Sequence, residues 1–372
     1  MLLQSIAIPY ILEQINLQQP EEGSVFLLLF SEQDTPDIDQ LVEALNQQNI
    51  AFMGGIFPGL LYGNERVDKG CIIKKFNTLL PPFCVSGIEL GQLSGLPPFG
   101  TLNLPRNGTA IVLFDGLTPN LYAFLEKLND LLGKQCQFIG GGAGSISLRQ
   151  QACVFNKEGF FKDAAIVCVV DKRVSIGVKH GWEQMAGPMV ATQTEGNTIM
   201  QLNWQRAIDV YNDQVEKDTG IRLNKENFAS IAQGYPFGIF REKADDIVRD
   251  PLAMKDDGSI VCIGEVPPNT VLHILKGRPE SLLKAAEAAI RECSETLGDN
   301  SHAQETFVVD CITRTLYLND QFAEEMNIIK HGIGHAAGTQ KSFGILSLGE
   351  LASYEMGLLE LFNKTIVIGR FY

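Results

Sequence analysis

The stretch QFIGGGAGSIS, Gln137 to Ser147, sets three consecutive glycines behind a short apolar run, with a fourth at Gly144. A nucleotide fold and a plain sheet fold compete for it. A dinucleotide loop needs its glycines to open a helix whose N-terminus meets the pyrophosphate. Downstream, SISLRQQACVF is β-branched and broken by NKEGF, so it reads as strand and hairpin. No Gly-Lys-Ser/Thr follows, so a phosphate loop is disfavoured. The glycines then serve close backbone approach or positive φ at a sheet crossing. Alternatively, they bare backbone N–H groups toward a small ligand.

The surrounding pattern supports a sheet. Ala110–Phe114 (AIVLF) reads as a strand, DGLTPN as a turn with Thr118 at N-cap and Pro119 at N1, and LYAFLEKLNDLL as a helix ending near Gly133. The same order occurs earlier. Val25–Phe30 (VFLLLF) is an apolar run suited to a strand buried on both faces. Pro36 then introduces a helix carrying Ile38, Leu41, Val42 and Leu45 at helical spacing, and IAFMGGIFPG, Ile50 to Gly59, follows. The first half therefore reads as a weak internal duplication of strand, helix, glycine segment and paired strands. Further strands are expected at Val174–Val178 and Pro188–Thr194, and a helix at Trp204–Val215.

Beyond the polar stretch 216–230 a second unit begins. It has strands at Gly238–Phe240, Ile260–Gly264, Val271–Leu275, Thr306–Cys311, Ser342–Leu348 and Thr365–Ile368. A helix rich in alanine is expected to start at a Ser281 cap. The expected fold class is α/β, mixed α+β. Layered mixed sheets are flanked by helices in two domains, 1–205 and 206–372, that share a cleft.

Composition narrows the function. A net charge of −14 with no basic stripe disfavours nucleic acid and anionic lipid surfaces. The longest apolar runs fall far short of the ~20 residues of a membrane-spanning helix. The N-terminus MLLQSIAIPYILEQ lacks a positive leader region and a cleavage site, so a cytoplasmic protein is expected. None of the eight cysteines stands in a Cys-x-x-Cys pair, which supports no metal motif and fits a reducing compartment.

Few residues carry chemistry. His331 and His335 in HGIGH stand four apart, but Gly332 and Gly334 argue against the helix a metal pair would need. The segment His331–Gly338 reads instead as a loop able to close over a ligand. Ser145 lacks the second glycine of a nucleophile elbow. Cys311 ends the apolar strand FVVDC with Arg314 near it. It reads either as a packed core thiol or as an activated nucleophile acting on a small metabolite. Arg314 suits a ligand carboxylate, and Glu350, just after Gly349, suits an amine. The competing reading is that both side chains are solvated or pair with each other.

The stretch VKHGWEQMAGPMVATQTEGNTIMQLNWQRAIDVYN, Val178 to Asn212, resembles the junction of the FIST sensory module. Gly181, Trp182, Gly187, Val190, Gly196, Asn197, Ile199, Ala207 and Tyr211 take the family's places. FIGGGAGS, ACVF and KDAAIVCVV are similar to the end of the FIST N-terminal domain. YPFGI, VRDPLAMKDDGSIVCIGEVPPNTVLHIL, DCITR, SFGILSLGEL and LFNKTIVIG follow in the order of the FIST C-terminal domain. The resemblance implies a small-ligand sensor, the ligand an amino acid or similar polar metabolite. No cofactor and no metal are expected. Output would pass through a signalling protein partner, with a homo-oligomer left open. It carries ligand contacts onto Gly141, Gly142 and Gly144 in the first domain. In the second it carries them onto Cys311, Arg314, Gly344, Gly349, Glu350 and Asn363.

Overall fold

A computed structural model describes residues 1–102, 104, 108–133, 136–242, 244–297, 305–333, 342–354 and 358–372. The first half repeats one unit. Strand Ser24–Ser31 leads through helix Ile38–Gln47 to strand Phe52–Phe57, parallel to the first, and Cys71–Ser86 returns antiparallel beside it. Strand Gly108–Asp115, helix Leu121–Leu132, parallel strand Cys136–Ala143 and antiparallel strand Ala164–Val170 repeat the arrangement. The two returning strands pair with each other, so the units stand back to back in one sheet. A third instance lies near the C-terminus. Glu305–Cys311 runs parallel to Phe343–Ser347 across helices Ile312–Leu318 and Phe322–Ile333, with Ile366–Phe371 antiparallel.

The glycine clusters therefore lie inside strands and not at crossings. In the three parallel pairs Leu28 stands opposite Gly54, Val112 opposite Gly140, and Val308 opposite Gly344. A Cβ on these glycines would fall 2.5, 1.8 and 2.1 Å from the carbonyl oxygen of the facing residue. No side chain fits at such distances, so glycine is what lets each parallel pair close. This is the place of Gly344.

The molecule has four layers. Two of the units, with the hairpin Val154–Asn156 and Gly159–Phe161 at one edge, later strands Glu350–Tyr354 and Leu358–Phe362 at the other, and Leu2–Leu3 beside Cys71–Ser86, form an eleven-stranded sheet. It packs face to face on a six-stranded sheet of Val174–Lys179, Ile366–Phe371, Glu305–Cys311, Phe343–Ser347, Gly59–Tyr62 and Glu65–Val67. Leu27, Leu113 and Ile139 from the first sheet share a core with Phe307, Val309 and Ile345 from the second. Helices cover the outer faces, so most strands are buried on both sides. Along VFLLLF, Val25, Leu27 and Leu29 face the other sheet, whereas Phe26, Leu28 and Phe30 face helix Ile38–Gln47. This explains the unbroken apolar run.

Between these layers in sequence lies a barrel. Strand Glu183–Glu195 pairs with both Thr270–Lys276 and Thr198–Leu202, which closes six antiparallel strands into a ring. Helix Ala207–Thr219 packs Ile208, Tyr211 and Val215 into its core. The boundary expected at 205/206 falls within the barrel, and each large sheet takes strands from both sides of it.

Several element ends differ from expectation. Trp204 is 78% exposed in a hairpin turn, and its helix starts at Ala207. Helix Pro279–Leu297 starts two residues before Ser281, whose hydroxyl bonds Glu183. Asn120, not Thr118, precedes the first turn of Leu121–Leu132. Helix Phe322–Ile333 continues through His331 and Gly332, because its apolar face, Phe322, Met326 and Ile329, buries against helix Pro279–Leu297. His335, and with it most of the expected His331–Gly338 loop, lies outside the described residues. Among the described residues, no helix is long and apolar enough to cross a membrane.

Candidate ligand cavity between sandwich and barrel

A cavity of about 210 Å³ opens where the barrel meets the edge of the sandwich. The sandwich supplies the Gly116–Tyr122 segment, Leu348, Leu361 and Asn363; the barrel supplies Asn197, Leu252 and Cys262–Glu265. Buried Asp115 shapes the Gly116–Tyr122 loop. One carboxylate oxygen accepts the N–H of Leu117 at 3.0 Å; the other accepts from Gln150 at 2.8 Å and the N–H of Asp163 at 2.9 Å. The loop leaves the C-terminal end of strand Gly108–Asp115 and enters helix Leu121–Leu132, so the first turn of that helix lines the cavity. First-turn N–H groups have no helical acceptor and carry the positive end of the helix dipole.

Asn363 sits in the turn between strands Leu358–Phe362 and Ile366–Phe371. It is 1% exposed and lines the cavity, and its Oδ1 has no hydrogen-bond partner. An orphaned amide oxygen this deep costs ~1–3 kcal/mol. Gly264 makes room for it, since a Cβ there would stand 3.2 Å from that oxygen. Beside Gly264 lies Glu265, a half-buried carboxyl raised above its ordinary range by burial.

Behind this wall a polar chain ties the two bodies together. Arg249 of the barrel is fully buried and donates to the carbonyls of Glu265 at 2.8 Å and Val248 at 2.9 Å, and to the Tyr122 hydroxyl. Tyr122 donates to Glu360 at 3.1 Å, and Arg241 reaches the other oxygen of Glu360 at 2.7 Å.

The expected site residues divide into three groups. Asn363 is on the cavity wall. Gly142, Gly144 and Gly349 converge on Leu348, the cavity's apolar neighbour. The N–H of Leu348 donates to Gly142 at 2.9 Å, the N–H of Gly142 donates to Gly349 at 2.8 Å, and a Cβ at Gly144 would strike the Leu348 side chain at 2.8 Å. Gly141 stands opposite Glu350 in the sheet, where a Cβ would meet Val309, Ile345 and Ser347 of the facing layer.

The charged residues are buried and do not line the cavity. Strand Glu305–Cys311 ends before Arg314, which lies on the following helix. Its guanidinium donates to Glu325 from Nε at 3.1 Å and from Nη2 at 2.5 Å, and to the carbonyls of His180 at 2.5 Å and Leu282 at 2.6 Å. Arg314, Glu325 and Asp310 are all 0% exposed. Burial, with Glu325 adding to it, pushes the Asp310 carboxyl well above its ordinary range. Burial also pulls the His180 imidazole down to about 4, which keeps it neutral. Glu350 is fully buried too. It accepts from the Ser347 hydroxyl at 2.5 Å and the Thr365 N–H at 3.2 Å, and burial pushes it up to about 8. Arg314 and Glu350 thus have other partners and do not pair. Burial raises the Cys311 thiol to about 12, and Sγ lies 3.2 Å from the Thr313 hydroxyl. Such a thiol stays protonated at neutral pH, the reverse of an activated nucleophile.

The sequence reading passed over Glu265, Tyr122 and Arg249. The only signal for them was the arginine in VRDP and the acid after the strand SIVCIG, each unremarked among many charges. Among the described residues, no group of three or more His, Cys, Asp or Glu is placed to hold a metal.

Residues 25–205 match the family model for the FIST N domain, and residues 207–353 match that for the FIST C domain. No curated protein matches the chain significantly.

Proposed function

The chain belongs to the FIST family of sensory domains, and we propose that it senses an amino acid or similar small polar metabolite in the cavity between sandwich and barrel. One observation carries the reading: Asn363, 1% exposed, lines the cavity, and its amide oxygen, set against Gly264, has no hydrogen-bond partner. Among the described residues eight buried side-chain atoms lack a hydrogen-bond partner, and the Asn363 oxygen is the one that belongs to a residue of this cavity's wall. Buried polar groups are as a rule satisfied, so an orphan there points to a missing partner. The neighbouring chemistry fits a zwitterion. The Glu265 carboxyl is suited to an ammonium group, and the first turn of helix Leu121–Leu132 to a carboxylate. Arg314 and Glu350 take a supporting role here: Arg314 holds Glu325 and the carbonyls of His180 and Leu282, Glu350 holds Ser347 and Thr365, and neither lines the cavity.

Sensing requires that the ligand favour one arrangement of the two bodies. The cavity wall is shared between them, and the Arg249–Tyr122–Glu360 chain crosses the same boundary. Binding would thus be reported as a change in how barrel and sandwich meet, read by a signalling partner in the cytoplasm. The test is calorimetry and thermal shift of the full chain against the twenty amino acids. At least one is expected to bind, and Glu265→Gln is expected to weaken it about tenfold by removing the charge opposite its ammonium. Unchanged affinity in Glu265→Gln would remove Glu265 from the site.

A further inference from the structure

Resting on that reading of the cavity, we infer that its ligand has an apolar body, aliphatic or a single ring, bearing one compact polar head, and that a further charge on that body is rejected. Besides the first-turn N–H groups of helix Leu121–Leu132, the polar side chains on the wall without a hydrogen-bond partner are few and close together: Asn363 stands against Gly264, next to Glu265. Asn120 and Asn197 also line the cavity, but their amides already donate to the carbonyls of Glu89 and Cys262. Thr118 already accepts from Gln150 at 3.2 Å. The remaining wall is hydrocarbon, from Leu117, Leu121, Leu252, Ile263, Leu348 and Leu361. A charged or hydroxylated side group placed there would lose its water and gain no partner.

The size agrees. An engineered cavity of about 150 Å³ with aliphatic and aromatic walls takes up benzene. At about 210 Å³, this cavity has room for one ring or a branched chain and a compact head. Each buried methylene is worth ~0.8 kcal/mol, or about fourfold in affinity, so affinity should climb with apolar size until the volume is filled.

The experiment titrates the full chain with L-leucine, L-phenylalanine, L-serine, L-aspartate and L-lysine, and with 4-methylpentanoate and benzyl alcohol, which carry the body without the zwitterion. Leucine or phenylalanine is expected to bind at least about tenfold tighter than serine, aspartate or lysine. Leu252→Ala, at a half-buried position that tolerates truncation, should cost leucine about tenfold and leave serine unchanged; Leu117→Ala provides the second variant. Binding of aspartate, lysine or serine as tight as that of leucine would overturn the inference and leave the amino-acid reading standing. If only 4-methylpentanoate or benzyl alcohol binds, the amino-acid reading falls and the apolar body is upheld. If no probe binds, both fall.

Discussion

Asn363 separates ligand binding from stability. Its unpaired oxygen weakens the empty protein, so Asn363→Leu, of similar volume, should raise unfolding free energy by about 1–2 kcal/mol. The same change should abolish stabilisation by the ligand. Urea denaturation with and without the bound amino acid measures both; a variant that is destabilised yet still binds would make Asn363 structural. Glu350 gives the residue scale its pH dependence. Unfolded, it releases its proton near 4.5; folded, burial holds that proton until about pH 8. The native state therefore binds more protons in this window, and stability falls as pH rises through it. Glu350→Gln should flatten that slope in denaturation curves taken from pH 5 to 8, and an unchanged slope would assign the dependence to another group. Neither role was readable from local sequence. Asn363 came only through family resemblance, because nothing in LFNKT tells a turn asparagine from a cavity asparagine. Arg314 reads as a free strand-end cation until Glu325, eleven residues on, is brought back by the next helix.

At the scale of elements, the apolar runs were legible because strands buried on both faces leave little room for polar residues. VFLLLF, AIVLF and FVVDC all form strands where expected. The glycine segments were not. Glycine is depleted in strands, so FMGGIF and CQFIGGGA read as crossings. What requires glycine there is the carbonyl of a neighbouring strand, reached only after a helix has intervened. The repeat itself was the usable clue: the same residue type recurs at the same place in each unit. The consequence is a sharp position dependence. Gly140→Ala would put a methyl 1.8 Å from the Val112 oxygen, and backbone has to move. A loss of about 3 kcal/mol or more is expected. Gly23→Ala meets no atom within 4 Å and strains only its φ of +80°, so a loss of about 1 kcal/mol is expected. Equal losses in the two variants, measured by urea denaturation, would refute the close-approach account.

For the whole molecule, the family's two matched segments and the layers of the fold do not coincide. Strand Gly59–Tyr62 of the first segment pairs with Phe343–Ser347, and Cys136–Ala143 pairs with Glu350–Tyr354 of the second. Val174–Lys179 lies beside Ile366–Phe371 at the chain's end. No composition shift could reveal this, since each half carries its own strands and helices and pairing across halves leaves no local mark. Splitting the chain at 205/206 would strip the six-stranded sheet of three strands and bare the inner face of the eleven-stranded one, including Leu27, Leu113 and Ile139. Apolar area on that scale cannot face water in a stable domain. The intact chain is therefore expected to unfold in one calorimetric transition, with equal van't Hoff and calorimetric enthalpies for the sandwich. A fragment of residues 1–205 should lack dispersed amide resonances. Two well-separated transitions together with a folded 1–205 fragment would show that the halves are stable alone. In that event a ligand at their junction could act by separating them, not by re-seating barrel on sandwich.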